Sequence, residues 1–198
     1  MHALSETEQR RFFTNEAVKR FLEGNQDFDF VSKGGWESVL VTRKGQPEEV
    51  IAINYHNIRP EDQKKIFYNQ RVFSTIFPHN FPKFYSAFVG NIQQERLGGT
   101  IRQRIWETSG KPPKIIYPFS KVEAVLKNVG SEVDFETTAD NLLIGADGGE
   151  YFVDTIRPDD VKKLNPEGLL RYMSANNYPD LDQHLVSQAA KRIEELSK

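Results

Sequence analysis

The sequence contains no cysteine. This absence excludes disulfide bonds, thiol nucleophiles and cysteine-ligated zinc or iron–sulfur sites, and it favours a reducing compartment. No apolar run approaches the roughly 20 residues that a helix needs to span a bilayer. The N-terminal stretch MHALSETEQRRFF also lacks the basic-then-apolar order of a signal peptide. We therefore predict a cytoplasmic protein with no membrane contact.

A large excess of charge of either sign is also missing. The 198 residues include 26 basic and 28 acidic side chains, so the formal net charge is −2. Because such a chain has no basic field to gather phosphate backbones, we expect no nucleic-acid partner. Aromatic residues are plentiful, and 14 Phe, 7 Tyr and 2 Trp supply large side chains for a core. The length favours one domain, which we predict to span residues 1–198.

The first half of the chain predicts a five-stranded, mostly antiparallel sheet with one helix inserted after the third strand. The predicted elements are a helix over 5–23, two strands around a tight Gly34-Gly35 turn, a turn at Gln46-Pro47, a strand over 48–57, a helix from Arg59, and strands over 84–89 and 100–106. The stretch NIQQERLGG predicts a long turn between the last two strands, and the apolar run Val50–Ile53 predicts that the third strand is interior to the sheet. Pro60 and the acidic residues after it predict the start of the helix. The inserted helix must end by Phe77, because Pro78 follows. This sheet part covers about residues 1–108.

The second half predicts a smaller, mostly helical part over about residues 115–198, after a linker at 109–114. Its predicted elements are a helix over 120–129, a hairpin over 141–155 with the turn ADGG, and helices near 159–164, over 166–176 and from 180 onward. The fold class predicted from the whole pattern is α+β.

The order of these elements, together with the stretch DNLLIGADGGEYFVDT, resembles that of protein kinases. In that family an Asn begins the hairpin and a metal-binding Asp ends it, and these positions fall on Asn141 and Asp154. The upstream stretch IFPHNFPKFYSAF resembles the kinase segment between the regulatory helix and the fourth strand. Both stretches are similar to small kinase-like modules in polyvalent proteins of phages and mobile elements. The resemblance implies ATP and Mg²⁺ as cofactors.

The phosphate-pairing cation of the family is missing, since Asn54 stands where kinases have a Lys. Its partner Glu would fall near Asn69 or Gln70, and an amide cannot form that ion pair. The absence of both members of the Lys–Glu ion pair is consistent, because a buried Glu without its Lys would lower the stability of the fold. Lys33, beside the glycine turn, or Lys44 can reach a phosphate from another direction. Both lysines also fit a solvated strand end.

The catalytic residues depart from the family pattern as well. Glu136 stands five residues before Asn141, where the kinase catalytic Asp belongs, and its side chain is one methylene longer. Asp154 is followed by Thr-Ile instead of Phe-Gly. Asp134, Glu136 and Asp140 form an acidic cluster, interpreted either as an acid–base or metal site or as a solvated loop. Whether the protein is an enzyme stays open at this point.

Two functional hypotheses follow from the sequence. The first is a degenerate kinase-like protein, a nucleotide- and Mg²⁺-binding pseudokinase or weak phosphotransferase. Its predicted residues are Glu136 as base, Asn141 and Asp154 on the metal, and Lys33, Gly34 and Gly35 near the phosphates. A plain hairpin turn explains the glycines equally well, and turn roles explain the Asn and Asp. The alternative is a non-enzymatic protein–protein interaction module, with candidate anchors at Phe28, Trp36, Tyr85 and Phe88.

Overall fold

The computed structural model describes residues 27–34, 38–54, 59–92, 95–106, 120–135 and 141–198. The chain divides into two compact units, Met1–Gln63 with Tyr85–Arg104 and Lys64–Phe84 with Ile105–Lys198. Residues 64–84 thus belong with the second unit, although the sequence placed them in the sheet part. The predicted helix over 5–23 and the linker at 109–114 lie outside the described residues. The single-domain interpretation stays a prediction.

The first unit is built on a five-stranded antiparallel sheet. Its strands are β1 (Phe28–Gly34), β2 (Ser38–Arg43), β3 (Gln46–Asn54), β4 (Phe84–Ile92) and β5 (Glu95–Gln103), in the spatial order β1-β2-β3-β5-β4. β2 and β3 contribute the buried residues Val39, Val41, Val50, Ile51, Ala52 and Ile53. The predicted sheet and the α+β class are confirmed.

The predicted turn at Gln46-Pro47 is wrong. Both residues lie in β3, and the chain turns at Lys44-Gly45, with Arg43 opposite Gln46. Gly45 has a φ of +82°, a left-handed conformation that favours glycine. Because Gly45 completes the turn, Pro47 falls near the start of the strand, where a missing N–H is tolerated.

The predicted long turn between the fourth and fifth strands is also wrong, because β4 and β5 extend to Ile92 and Glu95. Gly98 and Gly99 indicated a turn, yet both lie within β5, and Gly99 is opposite Ile53. A Cβ at Gly99 would lie 2.3 Å from the main-chain oxygen of Ala52 and 2.5 Å from the Phe88 ring. Glycine is therefore needed there for close packing and not for a turn.

The helix inserted after the third strand is α1 (Pro60–Ile76), as predicted. Pro60 opens it, and Glu61 and Asp62 in its first turn interact favourably with the positive end of the helix dipole. The first turn belongs to the sheet unit, where Gln63 Nε2 donates a hydrogen bond to the Gly99 oxygen at 2.9 Å. The rest of α1 belongs to the second unit.

The second unit combines helices with two small antiparallel strand pairs. Its elements are α2 (Ser120–Asn128), β6 (Glu132–Val133), β7 (Leu142–Ile144), β8 (Glu150–Phe152), a 3-10 turn (Pro158–Asp160), β9 (Val161–Lys163), α3 (Pro166–Ala175) and α4 (Asp180–Glu195). β7 pairs with β8 and β6 with β9. The predicted helix near 159–164 is wrong, because the 3-10 turn ends at Asp160 and the chain then pairs with β6. No helix within the described ranges is long and apolar enough to cross a bilayer.

Aromatic rings form the centre of the second unit. Phe81 is 1% exposed, and its ring lies 5.7 Å from the rings of Phe73 and Phe135 and 5.9 Å from that of Phe152, centroid to centroid. Phe73 lies on α1, Phe81 in the segment after it, Phe135 in the segment after β6 and Phe152 on β8. The cluster therefore joins α1 to the β7–β8 hairpin through side-chain packing.

Candidate functional site

The β7–β8 hairpin brings the predicted metal-binding pair to one end. In the register of this hairpin Leu142 is opposite Phe152, so Asn141 precedes β7 on the side where residues 153 and 154 follow β8. The Val153 N–H donates a hydrogen bond to the Asn141 main-chain oxygen at 2.9 Å. Asn141 is 8% exposed, and Asp154 is half-buried. The spacing that suggested a paired site therefore corresponds to adjacent backbone positions.

Both the side chain and the main-chain oxygen of Asp154 accept hydrogen bonds. One carboxylate oxygen, Oδ1, accepts a hydrogen bond from the Thr155 N–H at 2.7 Å. Its main-chain oxygen accepts a hydrogen bond from Gln70 Nε2, on α1, at 3.1 Å. Within the described part of the chain, no donor contacts the Oδ2 oxygen.

Two further carboxylates, Asp134 and Asp160, lie near this end of the hairpin. Burial raises the pKa of Asp160, and the charges of Asp154 and Asp134 raise it further, against a hydrogen bond and a charge from Arg157 that lower it. The Asp134 N–H donates to the Asp160 main-chain oxygen at 2.8 Å, and Lys162 Nζ lies 3.2 Å from Asp134 Oδ2. The three carboxylates of Asp134, Asp154 and Asp160 are thus opposed by two cations, Arg157 and Lys162, which leaves one negative charge in excess at this end.

The donor set fits Mg²⁺ better than a softer metal. Asn141 and Asp154 offer amide and carboxylate oxygens, which hard cations prefer. Among the residues that the structure describes, no group of three or more His, Asp or Glu side chains is placed to hold a metal ion. A cation at this end would thus take most of its ligands from water or from phosphate oxygens, as Mg²⁺ commonly does.

The other predicted site residues lie elsewhere or outside the described residues. Lys33 and Gly34 are the last residues of β1, opposite Val39 and Ser38. They belong to the first unit, whereas Asn141 and Asp154 belong to the second. Gly35 and Glu136 lie outside the described residues, so their roles stay predictions.

Two buried amides occupy the α1 positions at which the resemblance to kinases would place the Glu of the ion pair. Asn69 and Gln70 are each 1% exposed, and within the described ranges no donor contacts Asn69 Oδ1 or Gln70 Oε1. Such buried, unpaired oxygens cost free energy. The contact of Gln70 with Asp154 was not predicted. The sequence feature that could have indicated this contact is the helical spacing of Gln63, Ile66, Gln70 and Phe73. This spacing places the amide of Gln70 on the buried face of α1.

The opposite end of the hairpin is closed by its own side chains. Asp147 Oδ2 accepts a hydrogen bond from the Tyr151 hydroxyl at 2.7 Å, and Oδ1 accepts one from the Gly149 N–H at 3.0 Å. The bond with Tyr151 and then that with Gly149 lower the pKa of Asp147. Burial and the same hydrogen bond raise the pKa of Tyr151 to about 12. Gly148, with a φ of +79°, completes the predicted turn.

Searches of protein-family models and of curated proteins found no match to this chain. The resemblance to protein kinases therefore depends on the hairpin residues and on the order of the elements.

Proposed function

We propose that the chain is a degenerate kinase-like protein that binds Mg²⁺ and a nucleotide at the Asn141 and Asp154 end of the hairpin. The observation that carries this proposal is the adjacency of these two residues, through the Val153 to Asn141 hydrogen bond, among the carboxylates of Asp134 and Asp160. The element order supports it, since three strands, a helix, two strands, a helix, the short strand β6 and a hairpin follow one another. The protein is thus a pseudokinase or a weak phosphotransferase.

The buried amides of α1 argue against efficient phosphoryl transfer. Gln70 is neutral and uses its amide nitrogen on the main chain of Asp154, so it supplies no carboxylate for an ion pair with a lysine. Bound Mg²⁺ would neutralise the charge of nucleotide phosphates, with Asp154 and Asn141 as its protein ligands. The roles of Lys33, Gly34 and Gly35 as phosphate contacts and of Glu136 as the base stay predictions from the sequence.

The proposal predicts that ATP with Mg²⁺ raises the melting temperature of the full-length chain, because a ligand that binds only the folded state stabilises it by mass action. Asp154→Ala is expected to remove this rise, because it deletes the carboxylate nearest the predicted metal. Asp159→Ala is the matched control, since Asp159 is an exposed carboxylate on the neighbouring 3-10 turn, and it should keep the rise. Differential scanning fluorimetry measures all three proteins.

Two outcomes would contradict the nucleotide proposal. One is no shift of the wild-type melting temperature at millimolar ATP and Mg²⁺, and the other is an equal shift in Asp154→Ala. A separate assay of phosphate release distinguishes a pseudokinase from a weak enzyme. If release is detected, Glu136→Gln should abolish it and leave the Mg²⁺-dependent stabilisation unchanged.

A second candidate function is protein association through the β4 edge of the sheet. β4 is the last strand in the sheet order, and its sequence, FYSAFVGNI, contains neither charge nor proline. Tyr85 and Val89 on this strand are 44% and 39% exposed. The opposite edge, β1, carries Asp29 and Lys33 and a register shift, which are devices that discourage strand pairing. A second copy of the chain, pairing β4 with β4, is the partner that we propose, because a two-fold contact joins identical edges.

This candidate predicts a concentration-dependent dimer. Val89→Lys is expected to shift the chain to monomer, because a lysine on an edge strand opposes pairing with its own copy. Asp29→Lys, which places the same side chain on β1, should leave the dimer intact. Sedimentation velocity over a range of protein concentrations measures both variants. A wild-type chain that stays monomeric at every concentration contradicts the candidate.

A further inference from the structure

A pocket of about 420 Å³ lies between α1 and α4, within the second unit. Tyr68 and Arg71 line it from α1, and Leu185 and Lys191 are among the α4 residues that line it. Residues three or four apart share one face of a helix, so α4 presents Leu185 and the later polar residues of this face to the pocket together. The volume falls within the range typical of small-molecule sites.

Positive charge dominates the pocket. Three basic residues, Arg71, Lys191 and Arg192, line it with a single acidic residue, Glu195. Arg192 Nη1 lies 2.6 Å from Glu195 Oε2, so this pair neutralises itself. In the described part of the chain, neither Arg71 nor Lys191 has a carboxylate partner, which leaves two positive charges. The chain as a whole has a net charge of −2, so this excess is a local feature.

Arg71 is oriented as well as charged. Its guanidinium carbon lies 5.9 Å from the centroid of the Phe67 ring, at a distance where a cation interacts with an aromatic face. A guanidinium presents several N–H donors in a planar fork, which matches the oxygens of a phosphate group. Lys191 is exposed and adds a mobile point charge.

We propose that this pocket binds a small organic phosphate monoester. A phosphate monoester carries a charge of about −1.5 to −2 at neutral pH, which matches the two positive charges of Arg71 and Lys191. Tyr68 and Leu185 offer apolar surface for the organic part of the ligand. The pocket residues do not include Asn141 or Asp154, so this site is separate from the proposed Mg²⁺ and nucleotide site.

Phenyl phosphate is the probe for the proposal, with inorganic phosphate and benzoate as comparison ligands. We expect phenyl phosphate to raise the melting temperature of the full-length chain in a saturable manner, because it binds the folded state. The rise should exceed that from inorganic phosphate, which lacks the organic part, and from benzoate, which carries one charge. The rise in melting temperature caused by phenyl phosphate should become smaller as sodium chloride is added, since salt screens partly exposed charges.

Lys191→Gln is expected to weaken phenyl phosphate binding about tenfold, since it removes one charged hydrogen bond. Arg171→Gln is the matched control, because Arg171 is an exposed cation on α3 that does not line the pocket. Asp154→Ala should also leave binding unchanged, which separates this site from the nucleotide site. Circular dichroism verifies that each variant is folded.

Isothermal titration calorimetry provides the affinities for this comparison. An unchanged affinity in Lys191→Gln, an equal loss in Arg171→Gln, or no saturable effect of phenyl phosphate on the wild type would each overturn the proposal. Weaker binding in Lys191→Gln alone, with the effect of phenyl phosphate exceeding that of benzoate, would support it.

Discussion

Phe81→Ala is expected to lower the free energy of unfolding of the second unit by about 3–5 kcal/mol. Phe81 is buried, and three other aromatic rings surround it within 6 Å, centroid to centroid. Removing its ring deletes apolar contacts and leaves a cavity between elements that cannot all move inward together. The loss should also loosen the β7–β8 hairpin, because Phe152 of β8 is one of the neighbouring rings.

Urea unfolding followed by circular dichroism measures this effect. Leu181→Ala is the matched control in the same unit, because Leu181 is 69% exposed, and its replacement should change stability by less than about 0.5 kcal/mol. A Phe81→Ala protein that unfolds at the same urea concentration as Leu181→Ala would show that the ring cluster does not hold the unit together.

Gly99→Ala is expected to destabilise the sheet by about 3 kcal/mol, the upper part of the usual range for overpacking. The added Cβ would lie 2.3 Å from the Ala52 main-chain oxygen. The Phe88 ring can move away, but β3 and β5 pair at this point, so the oxygen cannot move without disturbing the ladder. The change also displaces the Gly99 oxygen, to which Gln63 donates a hydrogen bond.

Gly45→Ala provides the comparison. Gly45 also resists a side chain, but through its φ of +82° alone, since a Cβ there would have open space around it. Its cost should be about 1 kcal/mol. Urea unfolding of both variants tests the difference, and a Gly99→Ala protein as stable as Gly45→Ala would contradict the close packing of β3 and β5.

The sequence predicted those elements whose signal is local and repeated. The apolar run at Val50–Ile53 predicted an interior strand, and Pro60 with its acidic neighbours predicted the start of α1. Gly98 and Gly99 were wrongly interpreted as part of a turn, because the sequence alone does not distinguish a glycine that close packing requires from one that a turn requires. β6 and β9 were missed, since strands of two or three residues are too short to show a period.

The candidate site was predictable only in part. The spacing of Asn141 and Asp154 placed them at one end of a hairpin, because residues that flank paired strands must meet. The hydrogen bond from Gln70 depends on how α1 packs against the hairpin, and no local pattern encodes that packing. The raised pKa of Asp160 likewise depends on its burial near carboxylates from distant positions in the sequence.

The two ends of the β7–β8 hairpin should respond in sequence to acidification. Asp160 is protonated before Asp147, because burial and the charges of Asp154 and Asp134 raise the pKa of Asp160. Asp147 has a lowered pKa, so its contribution to stability is present above the pKa of the unfolded chain and is lost only as the pH falls through the folded value. Acidification would therefore weaken the cation binding that we propose at the Asp154 end before it opens the tip of the hairpin.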